Sequence, residues 1–274
     1  MIELNADIGE GCDDASLMPY LDRVSIACGG HAGDAASMRF ALQRAAEHGV
    51  AAGAHPSYPD RAQFGRRELA ASADEVVAWV TQQTEALAEQ AARLGLRLAH
   101  VKPHGALYNT AARDAGVARA IARAVAALDP ALIVLGLSGS QLIVAGQAAG
   151  LTVLNEAFAD RRYQTSGRLV SRETSGALIV EPADAAAQAA ALAHGEPIPA
   201  LGGGRIRVQA DTLCLHSDTP GALNIARAVH AARRRGVGAR DAALVREGRI
   251  VEEYRRAGEV VEQDARRNRD EVRF

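Results

Sequence analysis

The sequence predicts an α/β fold, specifically a β/α barrel of the TIM type with about seven parallel strands. Amphipathic helices alternate along the chain with short apolar runs, which is typical of a parallel sheet. Polar side chains follow at least five of these runs directly. An open, doubly wound sheet would concentrate such residues at one crossover point, whereas a barrel collects them at the carboxyl ends of all its strands. The spread of the polar residues therefore favours the barrel.

The apolar runs define the predicted strands, which are residues 2–6, 24–28, 50–54, 96–101, 132–137, 151–154 and 213–216. Three helices are predicted over 35–48, 72–94 and 138–149, and a glycine follows each of them. Ser72 and Glu75 have the spacing of a capping box, and Asp34 is well placed to cap the first helix. Thr219 and Pro220 are predicted to begin a helix after the last strand.

The strand and helix pattern predicts one barrel domain over residues 1–238. Pro197 begins a proline- and glycine-rich connection, but the pattern resumes beyond it. Residues 239–274 are rich in arginine and glutamate, and they predict a charged C-terminal extension that is either a solvated helix or partly disordered.

Composition excludes several classes of protein. The formal net charge of −2 gives no indication of binding to nucleic acid or to a membrane surface. Cys12, Cys28 and Cys214 form no CxxC pair, which argues against a disulfide framework or a zinc ribbon. The N-terminus lacks the apolar stretch of a signal peptide, and no apolar run approaches the roughly 18 residues of a membrane span. A cytoplasmic protein without nucleic-acid or membrane partners is expected.

Lys102 is the only lysine in a chain whose other strongly basic residues are all arginine. Unlike a guanidinium, an ammonium is a compact point charge, so a single retained lysine indicates a specific role. His100, Lys102 and His104 share strand parity, and an inward-facing row of this kind is costly unless it serves a site. His100 lies deepest in the strand and is equally well explained as a hydrogen-bonded core histidine.

Carboxylates and histidines follow the first three strands. Asn5 and Asp7 share parity, and Glu10 comes after a glycine that permits a tight turn. These carboxylates are candidates for bases or for ligands of a divalent cation, although acidic residues also stabilise ordinary turns. His31 and His55 are candidate bases or metal ligands after the second and third strands.

Further candidates lie beyond the third, sixth and seventh strands. Arg66 offers a planar guanidinium that suits a carboxylate or a phosphate. Glu156 follows the sixth strand, and Arg161 either binds substrate or forms an ion pair with Asp160. The last strand is followed by His216 and Asp218, which share parity. No glycine fingerprint for a nucleotide follows any of the predicted strands.

Six groups of residues, taken together, resemble the LamB/YcsF family, which comprises the A component of 5-oxoprolinase. The matching stretches are NADIGEG at 5–11, ACGGHAGD at 27–34, AHPSYPD at 54–60 with FGRR at 64–67, VKPHGALYN at 101–109, EAFADRRY at 156–163 and HSDTPGA at 216–222. They occur in this order over roughly the first 235 residues. Among the departures, Gly30 stands where the family more often has phenylalanine, and Ser217 stands where glycine is usual.

The resemblance implies a barrel of the glycoside hydrolase/deacetylase type. It also implies an ATP-dependent amidohydrolase that opens the lactam of 5-oxo-L-proline to give L-glutamate, ADP and phosphate, working with partner subunits B and C. ATP with Mg²⁺ is the implied cofactor, held at an unconventional position or at a subunit interface because the chain has no phosphate-binding loop. A further divalent metal ion is an additional candidate.

Within that activity, Lys102 is expected to supply the cation near the phosphoryl oxygens, and His104 with Asp7 or Glu10 to supply the acid and the base. Arg66 or Arg161 is expected to hold the substrate carboxylate. The candidate residues are Asp7, Glu10, His31, Lys102 and His104 for catalysis; Asn5, His55, Arg66, Tyr108, Glu156, Arg161, His216 and Asp218 for substrate binding; and Asp7, His31 and His55 for a metal ion. Replacing Lys102 or His104 by alanine is expected to abolish glutamate release and to leave the fold intact.

Two other functions remain open. One is a metal-dependent deacetylase, in which an aspartate and histidines at the strand ends hold an ion that activates water. The absence of an HExxH spacing argues against it, although His100 and His104 have HxxxH spacing. The other is a non-catalytic component that captures the lactam for the active site of a partner and carries out no chemistry itself.

Overall fold

A computed structural model describes residues 1–12 and 14–235 of the chain. It confirms the predicted fold class, because seven parallel strands close into a barrel with helices between them. The barrel strands are β1 (Glu3–Ile8), β2 (Arg23–Ala27), β3 (Ala51–His55), β4 (His100–Val101), β5 (Ile133–Leu137), β6 (Val153–Phe158) and β9 (Thr212–His216). They pair in that order, and β9 closes the ring against β1.

The chain divides into two compact units. The barrel unit comprises Ile2–Phe158 and Val208–Asp218. Its helices are α1 (Ala35–Glu47), α2 (Ala73–Arg93), α3 (Gly105–Arg113), α4 (Ala115–Leu128) and α5 (Gln141–Ala148). The second unit contains Ala159–Arg207 and residues 219–235. Its elements are α6 (Pro182–Ala193), a short hairpin of β7 (Ile198–Pro199) and β8 (Arg205–Ile206), and α7 (Ala222–Arg235). The extension predicted over 239–274 lies outside the described residues.

Local capping explains where the helices begin. The Ser72 side chain accepts a hydrogen bond from the Glu75 amide, and the Glu75 carboxylate accepts one from the Ser72 amide, so the predicted capping box is confirmed. Asp34 caps α1 in the same manner, through the amides of Ala36 and Ser37. The predicted helix 138–149 begins later, at Gln141, because Gly139 has a positive φ of 68° and ends a turn that precedes the helix.

Several strand limits differ from the prediction, and the differences move site residues into the sheet. β1 continues to Ile8, so Asp7 pairs in register with Ser25 on one side and His216 on the other. β6 continues to Phe158, which places Glu156 within a strand and not after it. The long predicted run 96–101 contributes only the two residues of β4.

The interior of the barrel contains polar side chains that satisfy one another. His100 is fully buried, and its Nε2 lies 3.1 Å from the Ser25 hydroxyl. The Asn5 amide donates to the Thr212 hydroxyl at 2.8 Å. Gly53 makes room for the imidazole, because a Cβ atom there would lie 2.4 Å from the ring of His100. His100 is therefore a core histidine, the second of the two roles open from the sequence. Within the described residues, no helix has both the length and the apolar character needed to cross a membrane.

Candidate active site

The buried ammonium of Lys102 organises one group of side chains at the carboxyl ends of the strands. Its Nζ lies 2.8 Å from Asp7 Oδ1 and 2.7 Å from Glu156 Oε1. The Asn5 Oδ1 and Cys214 Sγ atoms each lie 3.3 Å away. We call Asn5, Asp7, Lys102, Glu156 and Cys214 the lysine group. An ammonium has three N–H bonds, and four acceptor atoms of the protein surround it within 3.3 Å.

Electrostatics keep this lysine charged although it is only 2% exposed. Burial by itself would lower the pKa of Lys102, but Asp7, Cys214 and Glu156 outweigh burial and raise that pKa well above its ordinary value. Burial would likewise raise the pKa of Asp7, yet the neighbouring His55 and Lys102 hold it well below its usual range. The group therefore contains a charged ammonium beside the ionised Asp7, and it does not supply an uncharged amine.

A second group, which we call the histidine group, consists of Glu10, His31, His55 and His104. Glu10 Oε1 lies 2.8 Å from His31 Nε2, 3.1 Å from His104 Nδ1 and 3.7 Å from His55 Nε2. The rings of His31 and His104 stack with centroids 3.6 Å apart, and His55 Nε2 lies 3.0 Å from His104 Nδ1. Four residues at or just beyond the ends of four successive strands thus direct nitrogen and oxygen atoms at a common point.

Backbone carbonyl groups fix two of these rings. His55 Nδ1 donates to the Lys102 carbonyl at 2.7 Å, and His104 Nε2 donates to the Phe64 carbonyl at 3.0 Å. Phe64 has a left-handed backbone with a φ of 54°, which lets its carbonyl face the site. The next residue, Gly65, packs directly against the rings, since a Cβ atom there would lie 3.0 Å from His31 Cβ and 3.2 Å from His104 Cδ2.

Burial and the shared carboxylate set the charge state of the histidine group. Burial lowers the pKa of His31 to about 4, and burial also lowers the pKa of His104. Burial opposes the charge of His55 too, but Asp7 outweighs it and raises the pKa of His55 above its ordinary value. For Glu10, burial would raise the pKa, but the close His104 and His31 imidazoles hold that pKa well below its usual range. His31 and His104 are therefore neutral near pH 7.

The two groups meet at Asp7, whose Oδ2 lies 3.4 Å from His55 Nε2. On the other side, the Tyr108 hydroxyl donates to Glu156 Oε2 at 2.7 Å, so the second carboxylate of the lysine group is also held in place. The ring of His216 stacks on Phe158, which in turn lies 5.8 Å from Lys102 Nζ. One continuous polar network therefore spans the mouth of the barrel unit.

The rim of the site carries the exposed residues. Arg66 Nη2 and Asp218 Oδ2 form an ion pair at 2.9 Å, with half of the Arg66 side chain in solvent. The Ser217 hydroxyl donates to the Asp7 carbonyl at 3.3 Å. Asp14 accepts a hydrogen bond from the Gly9 amide at 2.6 Å, and burial raises the pKa of Asp14 to about 6. Asp7 and Glu10 keep 12% and 9% of their side-chain surface exposed.

Arg161 belongs to a different unit from the other candidate residues. In this second unit, its guanidinium is buried and donates to the Val170 carbonyl at 2.6 Å. Its neighbour Asp160 accepts a hydrogen bond from the Thr219 hydroxyl at 2.8 Å. Thr219 is therefore engaged in a side-chain contact, and α7 begins at Ala222, two residues after the predicted first residue Pro220.

Among the described residues, two groups of side chains have the composition and spacing to hold a metal ion. One is the histidine group, and the other consists of Asp7, Cys214 and His216. The set predicted from the sequence combined Asp7 with His31 and His55. Asp7 Oδ2 lies 3.4 Å from His55 Nε2, while the turn after β1 carries Glu10 towards the histidines and Asp7 stays within the strand.

Sequence reasoning missed two contributors. Cys214 is one of them, although shared strand parity already places its thiol on the face of Asn5 and Asp7. The other is the carbonyl of Phe64, which has no signal in the sequence because it depends on a left-handed residue before Gly65.

The departure at Gly30 has a physical reason. A Cβ atom at this position would lie 2.2 Å from Gln83 Oε1. That oxygen accepts a hydrogen bond from the Ser57 amide, so Gln83 is held where it is. No larger residue therefore fits this space.

The fold and the site define a class of proteins, the β/α barrels with a buried charged site at the carboxyl ends of the strands. Within it, the chain belongs to the LamB/YcsF family, whose sequence model matches residues 2–246.

Relatives that bear the name of the 5-oxoprolinase A component are similar to this chain over most of their length. The protein from Chloroflexus aggregans is 50% identical over 227 residues, which cover 81% of this chain and 90% of the relative. The protein from Geobacillus thermodenitrificans is 46% identical over 236 residues, covering 84% and 92%. Among solved structures, the lactam utilization protein of Thermus thermophilus is 43% identical with a TM-score of 0.80, covering 86% of this chain and 98% of that one.

Proposed function

We propose that the protein is the A component of an ATP-dependent amidohydrolase that opens the lactam of 5-oxo-L-proline to give L-glutamate. Support comes from relatives up to 50% identical that are named as this component of 5-oxoprolinase, and from the structural similarity to a lactam utilization protein. ATP as its Mg²⁺ complex and partner proteins of the B and C types complete the assembly.

The chemistry begins with a poor electrophile, because resonance stabilises the lactam and its nitrogen is a poor leaving group. Transfer of the γ-phosphoryl group of ATP to the lactam oxygen gives a phosphorylated imidate and ADP. Water attacks the ring carbon, the C–N bond breaks, and the nitrogen takes a proton to become the amino group of the product. A second water then releases phosphate from the resulting acyl phosphate, so one ATP and two waters are consumed.

The observation that carries this proposal is the ionised Asp7 at the boundary between solvent and the buried lysine group. Its side chain is held by Lys102 at 2.8 Å and lies 3.4 Å from His55. A positioned carboxylate beside the attacking water accepts its proton, and the low basicity of Asp7 is sufficient because the imidate is already activated. Asp7 fits this role better than Glu10, whose Oε1 already lies 2.8 Å from His31 Nε2 and 3.1 Å from His104 Nδ1.

The surrounding residues position this carboxylate and the substrate. Lys102 is surrounded by protein acceptors, so it acts by keeping Asp7 ionised and in place, with a positive charge beneath the reacting atoms. His104 Nδ1 faces His55 Nε2, and His104 Nε2 donates to the Phe64 carbonyl. Because both ring nitrogens are engaged, a positioning role is favoured over proton transfer. Arg66 lies exposed at the rim and is the guanidinium available for the substrate carboxylate.

The test is an assay on the full chain combined with candidate B and C proteins. We expect ATP hydrolysis that depends on 5-oxo-L-proline and releases glutamate. Asp7→Asn should lower kcat by about 10²- to 10⁴-fold. Asp74→Asn is the matched control and should leave kcat unchanged. Asp74 is an exposed residue of α2 that forms an ion pair with Arg123 of α4.

Two results would contradict the proposal. The first is near-normal turnover by the Asp7→Asn complex, which would place the chemistry in a partner and leave this chain with a binding role. The second is acetate release from acetylated sugars by the isolated protein without ATP, which the deacetylase alternative predicts.

A further inference from the structure

Hydrogen bonding fixes the protons on two rings of the histidine group. A carbonyl oxygen only accepts hydrogen bonds, so His55 Nδ1 and His104 Nε2 must each carry a proton to bond the carbonyls of Lys102 and Phe64. In neutral rings the opposite nitrogens then bear lone pairs. These two nitrogens, His55 Nε2 and His104 Nδ1, face each other at 3.0 Å. The arrangement is repulsive unless a cation or a proton lies between them.

A proton satisfies only part of this group. It bridges two of the four converging atoms, whereas His31 Nε2 and Glu10 Oε1 point at the same place. An ion at the common point would contact all four atoms at once. The negative charge of Glu10 and the three imidazole nitrogens make this the environment of a cation that prefers nitrogen ligands.

The distances fit a tetrahedral ion. Zinc bonds to nitrogen and oxygen of about 2.0–2.1 Å place neighbouring ligand atoms about 3.3 Å apart. Glu10 Oε1 lies 2.8 Å from His31 Nε2, 3.1 Å from His104 Nδ1 and 3.7 Å from His55 Nε2. His55 Nε2 and His104 Nδ1 lie 3.0 Å apart. All four ligand atoms lie within 4.8 Å of one another. The backbone carbonyls behind His55 and His104 are the outer partners that commonly orient metal-binding histidines.

We propose that Glu10, His31, His55 and His104 bind one divalent transition-metal ion of the zinc class. Three imidazoles select such an ion over Mg²⁺ or Ca²⁺, which prefer oxygen ligands. Four protein ligands form a closed set, which is typical of an ion that stabilises structure. The ion connects the carboxyl ends of β1, β2, β3 and β4, and this proposal does not depend on the identity of the substrate.

The other metal-capable group does not carry the same inference. Asp7 and Cys214 lie 2.8 Å and 3.3 Å from the ammonium of Lys102. A cation therefore already occupies the centre of that group, and a second one beside it would be repelled. The histidine group, by contrast, consists of a carboxylate and three imidazoles and contains neither an ammonium nor a guanidinium.

The test uses the full chain, stripped with a chelator and titrated with Zn²⁺ against a chromophoric competitor. We expect one Zn²⁺ per chain, and the visible spectrum of tetrahedral Co²⁺ when cobalt replaces zinc. Glu10→Gln and His31→Gln should each weaken Zn²⁺ affinity by at least about 100-fold. His48→Gln, an exposed histidine at the end of α1, is the matched control and should bind as wild type.

Several outcomes would overturn the proposal. Zinc binding that is lost in Cys214→Ser but kept in Glu10→Gln would place the ion at the other group. A preference for Mg²⁺, or a cobalt spectrum of octahedral type, would show an oxygen-rich site elsewhere. If His31→Gln fails to fold, the Glu10→Gln titration and the wild-type cobalt spectrum still decide, because both use folded protein.

Discussion

The lysine group and the histidine group lie side by side in one barrel mouth, yet they balance charge differently. In the lysine group one ammonium lies between two carboxylates, with Nζ to oxygen distances of 2.8 Å and 2.7 Å. In the histidine group one carboxylate faces three imidazoles, and two of their nitrogens face each other at 3.0 Å. The first group is complete within this chain, whereas the second needs an added cation or proton.

Because of this difference, we expect the two groups to respond differently to the removal of a cation. The ammonium of Lys102 is covalently part of the chain and cannot dissociate, so the lysine group holds Asp7 in place permanently. A bound ion can be removed, so the histidine group should respond to chelators while the lysine group does not. Substitutions that act on one group and not on the other can therefore break or sharpen the comparison.

The largest effect is expected for Lys102→Met. Removing the ammonium leaves Asp7 and Glu156 buried close together, so the free energy of unfolding should fall by about 3–5 kcal/mol. This revises the expectation, made from the sequence, that Lys102 can be replaced without loss of the fold. Urea unfolding measures the change, and adding Asp7→Asn and Glu156→Gln to the variant should recover part of it. If Lys102→Met alone lowers the free energy of unfolding by less than about 1 kcal/mol, the lysine group is not buried.

A smaller loss is expected for Tyr108→Phe. The Tyr108 hydroxyl donates to Glu156 at 2.7 Å, and removing a hydrogen bond to a buried carboxylate costs about 1.5–3 kcal/mol. A double-mutant cycle with Glu156→Gln isolates this contact from other effects. Additive losses in the cycle would mean that the hydroxyl does not stabilise the carboxylate.

Gly65→Ala tests the histidine group without removing a ligand. The new methyl group must displace His31 or His104, so Zn²⁺ affinity should fall about 10-fold or more. Gly49→Ala is the matched control, because Gly49 has nearly the same φ, 66° against 61°, and open space around its Cβ position. Both variants share the backbone strain, and only Gly65→Ala should change metal binding. Equal zinc affinities in the two variants would argue that the rings do not bind the ion.

The smallest effect on stability is expected at the rim. Arg66→Ala removes an exposed ion pair with Asp218, and such pairs contribute about 0–1 kcal/mol. If Arg66 holds the substrate carboxylate, KM should rise while the free energy of unfolding and kcat stay nearly constant. An unchanged KM would remove Arg66 from substrate binding.

The sequence predicted the barrel because strand parity and the residues after each strand are local properties. Asn5 with Asp7, and Lys102 with His104, could be placed at one mouth from parity and order alone. The division into two groups could not be predicted, because it depends on the turn that carries Glu10 to the histidines, where Gly9 and Gly11 both have positive φ. The position of Arg161 after β6 suggested a place in the site, whereas the chain after Phe158 enters another unit.

The most direct test of the account is anomalous diffraction at the zinc absorption edge from crystals of the full chain grown with Zn²⁺. We predict one strong peak about 2.0–2.2 Å from Glu10 Oε1, His31 Nε2, His55 Nε2 and His104 Nδ1, with Lys102 still between Asp7 and Glu156. A zinc peak beside Cys214 and His216, or no peak among the four ligands at saturating zinc, would contradict it.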